Sequence, residues 1–379
     1  MQPTSLVIPA SVRAEFAPYF ESAQREGSFH NPWPHPTLPG LADVLRWKTG
    51  GKRRPAGYRV GPLPRVPNAL ADFNAQAGAL DAQGVAAATR VFWIGHASFL
   101  LELDGARFVI DPIFGRAGGV VARVTPPACE PNELTGIAAV LVTHGHHDHL
   151  DPTALRQIAL ANGGRTLFIV PRGLSRALPA ECRPVLELDW WQYVSIDGVR
   201  VHLVPAQHWH QRGMLDKNKS LWGGYVLEGT HRVFHSGDTG YFGGFRAIGR
   251  VFGGVDAACL PLGAYEPRWF MAAQHMSPEQ SLATLHDLSA THFIGMHWGA
   301  YDLSDELIEA GPALVREKAA EAGLAKERLH IVVPGGYIDL RGTRGGALAS
   351  TTHSFESPVF AGAAEGALGN QLGSRSGKE

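Results

Sequence analysis

Cysteine is scarce in this 379-residue chain: Cys129, Cys182 and Cys259 stand far apart, with no C-x-x-C spacing among them. That argues against a disulfide framework and against a thiolate-held metal. A surplus of one charge sign is missing too. The formal net charge is −1, and Lys52-Arg53-Arg54 is the one short basic run, so nothing points to nucleic acid or to an anionic surface. No uninterrupted apolar run is long enough to span a bilayer. The opening Met1-Gln2-Pro3-Thr4 lacks the basic-then-apolar pattern of a signal peptide, and no internal repeat is evident. With 45% hydrophobic and 18% charged residues, the expectation is a globular cytoplasmic protein.

What is present is distributed unevenly. Residues 1–90 are rich in Pro and Gly, with one expected helix near Val12 to Gln24. The run His30-Asn31-Pro32-Trp33-Pro34-His35-Pro36 cannot be a helix interior, because proline removes donors and constrains its predecessor. This region is expected to be an extended arm packing on the core. From Val91 short strands follow one another: 91–94, 98–103 and 107–110, with the hairpin signal Asp104-Gly105 between the last two. Further strands are expected over 138–142, 166–170, 199–204, 222–228, 232–235, 257–260, 292–296 and 330–333. Helices are expected after the caps Asp151 and Ser277, and from about Ser304 to Ala322 with a break at Gly311-Pro312. Residues 91–341 thus read as one domain. Residues 342–379, Gly-, Ala- and Ser-rich without periodicity, read as a disordered tail.

The most informative stretch is Thr143-His144-Gly145-His146-His147-Asp148-His149-Leu150-Asp151, directly after the apolar run Ala138 to Val142. A loop leaving a strand can aim His144 and His146 at one metal, and Asp148 and His149 at a second. Imidazole suits zinc, and carboxylate suits zinc or another divalent ion. Three more residues occupy the same position, just past a strand's end: His208 after 201–205, Asp238 after 232–235 and His297 after 292–296. In α/β sheets that edge is where sites are built. Asp238, with two carboxylate oxygens, suits a bridge between the metals. Asp111, ending the strand 107–110, suits an acceptor that orients a ligand histidine. His147, His210 and His235 neighbour these residues and are expected to face away.

On these residues the chain resembles the metallo-β-lactamase-fold hydrolases, whose H-x-H-x-D-H hallmark is matched by His144, His146, Asp148 and His149. Within that superfamily it most resembles the N-acyl-phosphatidylethanolamine-hydrolysing phospholipase D group. The closer match runs through Asn31-Pro32-Trp33, Trp93-Ile94-Gly95-His96-Ala97-Ser98, Asp111-Pro112-Ile113-Phe114, Pro205-Ala206-Gln207-His208-Trp209, Gly237 to Phe242, Gly263 to Met271 with Gln274-His275, and His297-Trp298-Gly299. Gly145 and His147 depart from the Asn and Tyr common inside the motif, His210 stands where Ser is usual, and 115–131 matches poorly.

The resemblance implies a four-layer αβ/βα sandwich and two zinc ions. One would be held by His144, His146 and His208, the other by Asp148, His149 and His297, with Asp238 bridging. Two such ions about 3.5 to 4 Å apart can share a hydroxide that attacks a phosphodiester of a phospholipid-like substrate. Asp148 and His275 are the expected catalytic residues. His275 would lie beside the substrate, contacting the phosphate or protonating the leaving alkoxide; near a helix start it reads equally well as structural. A metal-dependent lactonase is the competing enzyme reading, and a binding module of degenerate fold the non-enzymatic one. A di-iron oxidoreductase is disfavoured because that branch carries Glu where His146 stands. A lipid substrate would need an apolar landing surface, for which Trp269-Phe270-Met271 and the arm around Trp33 are candidates; peripheral membrane contact and a homodimer stay open.

Overall fold

The structure, a computed structural model, describes residues 1–51, 58, 60–77, 89–342, 344, 346 and 348–356. Alternation along the strands sets its layers. In Thr89–Gly95, Val91 and Trp93 enter a large core shared with Val201, Leu203 and Phe234, while Phe92 and Ile94 enter a separate cluster on the opposite face. Ser98–Leu103 and Ala106–Ile110 repeat the pattern, with Phe99, Leu101, Phe108 and Ile110 on the first side and Leu100 and Val109 on the second. Successive side chains of a strand face opposite ways, so a strand apolar on both sets must be covered on both faces. The outer cover here is the helix Pro152–Ala161, which contributes Leu155, Ile158 and Ala159.

Two eight-stranded sheets result, and each is antiparallel at one end and parallel at the other. The first runs Leu348–Thr351, Tyr337–Arg341, Thr89–Gly95, Ser98–Leu103, Ala106–Ile110, Ala139–Leu141, Leu167–Pro171, Val185–Leu188, and is parallel from Ala106–Ile110 onward. The second runs Thr4–Ser5, Gln192–Ile196, Val199–Val204, Gly224–Glu228, Arg232–His235, Ala257–Pro261, His292–Met296, Leu329–His330, and is parallel from Arg232–His235 onward. The helix Pro278–Asp287 packs on Ala257–Pro261 and His292–Met296, and the helix Ala310–Glu321 packs on it in turn. Helix, sheet, sheet, helix is the four-layer sandwich expected from the sequence.

Capping follows the local chemistry. The Asp151 carboxylate accepts from Thr153 N at 3.0 Å and Ala154 N at 3.2 Å, with Pro152 in the first turn. Ser277 and Gln280 exchange reciprocal bonds at the start of Pro278–Asp287, satisfying donors a helix start leaves free.

Several expectations are corrected. The helix expected from Ser304 begins only at Ala310, so Gly311-Pro312 lies in its first turn, where a missing N–H is harmless. The helix expected near 12–24 is Ala10–Glu15 followed by a 3₁₀ turn, Ala17–Phe20. The expected disordered tail does not start at Gly342: Leu348–Thr351 pairs antiparallel with Tyr337–Arg341, and Phe355 is buried. The rest of that tail, 357–379, lies outside the described residues. Trp33 is no surface residue. It is 3% exposed, stacked against Trp190 at 5.4 Å and Phe242 at 4.9 Å.

Candidate metal centre

The candidate ligand residues sit where the strands end. His144, His146, Asp148 and His149 leave Ala139–Leu141, His208 follows Val199–Val204, Asp238 follows Arg232–His235, and His297 follows His292–Met296. Both sheets therefore contribute to one edge, and their donor atoms converge. His144, His146, His208 and Asp238 bring one ligand atom each within 4.8 Å of one another; so do His96, Asp148, His149 and His297. In the first group His146 Nδ1 lies 3.0 Å from both His144 Nε2 and His208 Nε2. Asp238 reaches the second group as well, with Oδ2 3.2 Å from His149 Nε2 and Oδ1 3.1 Å from His297 Nε2. It lies 3.8 Å from His144 Nε2, which places it between the groups.

Hydrogen bonds set which nitrogen each ring offers. Asp111, 0% exposed, accepts from His149 Nδ1 at 2.7 Å and also from Thr143 N and Oγ1. This leaves His149 Nε2 for the centre, as a ligand's outer partner does. His208 Nδ1 donates to the Gln274 carbonyl at 3.1 Å, leaving its Nε2. The arm braces the same ligand: Asn31 Nδ2 donates to the His208 carbonyl at 3.1 Å, and Trp33 Nε1 to Gln207 at 3.2 Å.

Electrostatics divide the two groups. Burial, reinforced by neighbouring imidazoles, keeps His144 and His208 well below the usual histidine range, and burial brings His146 to about 3. These rings are neutral and carry lone pairs, as ligation requires. In the second group burial opposes charge, but Asp238, Asp111 and Asp148 together hold His149 well above its usual range, and Asp238 and Asp148 bring His297 up to about 9. An acid-rich pocket that draws protons onto two imidazoles is one that would draw a divalent cation instead. His146 turns its Nδ1 to the ring nitrogens of His144 and His208, and its Nε2 is buried without a hydrogen-bond partner. Donor set and electrostatics both fit metal ions.

Of the residues expected to face away, His235 turns its Nε2 to the Ala97 carbonyl at 2.9 Å and His210 packs against Gly145, whereas His147, bound to the Arg212 carbonyl, borders the cavity over the centre. His275 sits beside both groups: its Nδ1 is 3.9 Å from Asp238 Oδ2, and its ring centroid is 5.5 Å from that of His208 and 5.8 Å from that of His297. Burial lowers its pKa to about 4. A cavity of about 380 Å³ opens over it, walled by Trp47, Val121, Phe270, Met271 and Leu303, with His146, Asp148, Asp238, His275 and His297 at its floor. His96 was missed as a member of the site. It lies in the turn between two antiparallel strands, where a lone histidine carries no spacing signal.

Two facing mixed sheets with two His/Asp ligand groups along their shared edge define a metallo-β-lactamase fold, and with it a metal-dependent hydrolase. The chain belongs to the beta-lactamase superfamily, whose domain model matches residues 106–298. It is 32% identical over 322 residues to N-acyl-phosphatidylethanolamine-hydrolyzing phospholipase D 1 of Caenorhabditis elegans, covering 80% of this chain and 86% of that one. It is 34% identical over 252 residues to the mitochondrial N-acyl-phosphatidylethanolamine-hydrolyzing phospholipase D of Saccharomyces cerevisiae, covering 63% of this chain and 53% of that one. In fold it matches a possible metal-dependent hydrolase of Veillonella parvula at TM-score 0.53 and 15% identity, over 67% of this chain and all (100%) of that one.

Proposed function

We propose that this hydrolase holds two zinc ions and cleaves a phosphodiester in a phospholipid-like substrate of the N-acyl phosphatidylethanolamine kind, releasing phosphatidic acid and an N-acylethanolamine. One observation carries the reading: an apolar cavity whose floor holds members of both ligand groups, His146 and Asp238 of one and Asp148 and His297 of the other, together with His275. Acyl chains need such walls and a phosphate needs such a floor, and the kinship to the worm enzyme points the same way.

His144, His146 and His208 would hold one ion, and Asp148, His149 and His297 the other, with Asp238 shared. Two ions so placed supply Lewis acidity and bring the pKa of a shared water near neutrality. The chain's own groups do the rest. Asp148 and Asp238 are carboxylates held well below their usual range: burial pushes them up, and the adjoining imidazoles more than offset it. His275, neutral at pH 7, has an N–H to offer a phosphoryl oxygen, which makes contact with the phosphate its better-supported role. Trp47, Phe270 and Met271 wall the cavity, and an acyl chain packed against them would displace water and strengthen each of these interactions.

The rim of the cavity is apolar as well. Val120, which lines the cavity, is 73% exposed, and Trp269, adjoining Phe270 of its wall, is 49% exposed beneath the Arg46 guanidinium. Exposed apolar side chains grouped at a mouth suit peripheral contact with a bilayer from the cytoplasmic side. Among the described residues no helix is long and apolar enough to cross a membrane.

Metal-loaded protein assayed against N-acyl phosphatidylethanolamine vesicles, a simple phosphodiester and a lactone panel tests the reading. Release of phosphatidic acid is expected. Ready lactone opening with both phosphodiesters untouched would hand the site to the lactonase. A Val120→Ser, Trp269→Ser double variant should slow turnover on vesicles far more than on the soluble phosphodiester; equal effects on both would remove the membrane from the account.

A further inference from the structure

His96 occupies the two-residue turn between Thr89–Gly95 and Ser98–Leu103. It has φ +58 and is 2% exposed. A non-glycine residue in the left-handed region is strained by roughly 1–2 kcal/mol, and such strain persists where the surroundings over-determine it, often beside a functional site. His297, a ligand of the second group, shares this backbone state at φ +60. The two are tied together. His297 N donates to the His96 carbonyl at 2.9 Å, which also accepts from Trp93 Nε1 at 2.8 Å, and the His96 ring lies over the His297 ring at 4.0 Å. Tyr301 closes the other side edge-on at 5.0 Å.

The side chain then turns to a second ligand: His96 Nε2 lies 3.2 Å from Asp148 Oδ2. Nδ1 is buried with no hydrogen-bond partner. A neutral imidazole carries one N–H, and only the Nε2 proton finds an acceptor here, so Nε2 donates and Asp148 accepts. One residue thereby fixes two of the three ligands peculiar to the second group, His297 through backbone and ring, Asp148 through its carboxylate. The first group is braced by other residues, His208 by the Gln274 carbonyl and Asn31, and His144 by Thr143 Oγ1 at 2.9 Å from its Nδ1.

We infer that His96 is a positioning residue for the second metal, holding the Asp148 carboxylate and His297 in the geometry that receives the ion. This rests on the two-metal reading above. Donors to a ligating carboxylate typically matter by about 10- to 100-fold in metal affinity, and that is the effect expected here, confined to one of two ions.

The test is metal titration of the full-length protein, stripped by a chelator and reloaded with Zn²⁺ against a chromophoric competitor. Wild type should take up two ions. His96→Ala should bind the first with wild-type affinity and the second about 10- to 100-fold more weakly. His96→Gln, whose amide N–H reaches roughly where Nε2 does, should recover most of that loss. Two unchanged affinities in His96→Ala overturn the role of His96 while leaving the two-metal reading intact. A Gln variant as weak as the Ala variant overturns the hydrogen-bond account, and equal weakening at both ions makes His96 a general folding residue. Wild type that takes up a single ion overturns the two-metal reading and the inference with it.

Discussion

At the scale of single residues the site separates chemistry from support. His275 touches no metal ligand within hydrogen-bonding distance, yet its unpartnered ring nitrogen faces the cavity floor. His275→Ala should therefore lower kcat by roughly 10²–10³, the usual consequence of removing one donor to developing charge, while elemental analysis finds the metal content unchanged. Parallel loss of metal would make His275 a structural residue. Gly145 poses a different question, because it replaces a larger residue common in the family motif. A Cβ there would lie 2.1 Å from His210 Cε1 and 2.8 Å from Leu174 Cδ1, so Gly145 and His210 are two halves of one packing solution. Gly145→Asn alone should destabilise the fold by about 1–3 kcal/mol through overpacking, read from urea unfolding. Adding His210→Ser should restore much of it; additive effects would show that the two positions are uncoupled. The ligands were legible because His144, His208, Asp238 and His297 each follow a strand recognisable by composition. The coupling of Gly145 to His210 was not, since two residues 65 positions apart in sequence give no sign of sharing space.

Elements announced themselves in proportion to how far their side chains are buried. Thr89–Gly95 and His292–Met296 are buried throughout and stand out as apolar runs. Leu348–Thr351 alternates between exposed and half-buried, pairs through its backbone at a sheet edge, and so reads as tail. Its docking involves a buried histidine pair. His330 Nε2 meets His292 Nδ1 at 3.0 Å, and His330 Nδ1 meets Thr351 Oγ1 at 2.5 Å. Burial, with His292 beside it, lowers His330 to about 3, against about 6.5 in an unfolded chain. Below pH 6.5 the unfolded chain gains a proton that the native state refuses, so stability is intact above 6.5 and falls as pH drops toward 3. Urea midpoints measured from pH 7 to 5 should fall for wild type and fall less steeply for His330→Leu, although that variant is weaker at pH 7. Identical slopes would excuse His330 from the acid response.

For the whole molecule, the candidate ligands join two sheets that meet through apolar packing and a few hydrogen bonds, such as Tyr225 Oη donating to the Ile169 carbonyl at 3.2 Å. Metals that bind only the assembled edge stabilise the native state by mass action, by about 4 kcal/mol at free metal a thousandfold above Kd. Chelation should accordingly lower Tm, and re-adding zinc should restore it; a Tm indifferent to both would mean that the halves hold together without the centre. The arm belongs to the same assembly. Asn31 and Trp33 brace the His208 segment, which a Pro-rich stretch gave no hint of, since the contact depends on where the arm lands and not on its own pattern.

The spread of the ligands along the chain sets a clock. His144 and His297 are 153 positions apart (297 − 144), and ribosomes add roughly 5–20 residues per second, so about 8–30 s separate their synthesis. Until the later segment emerges, the H-x-H-x-D-H loop is a half-built chelator exposed to whatever cation is at hand. Any ion that needs His297 can settle only after nearly the whole domain has been made, which makes its loading a late event in the protein's life.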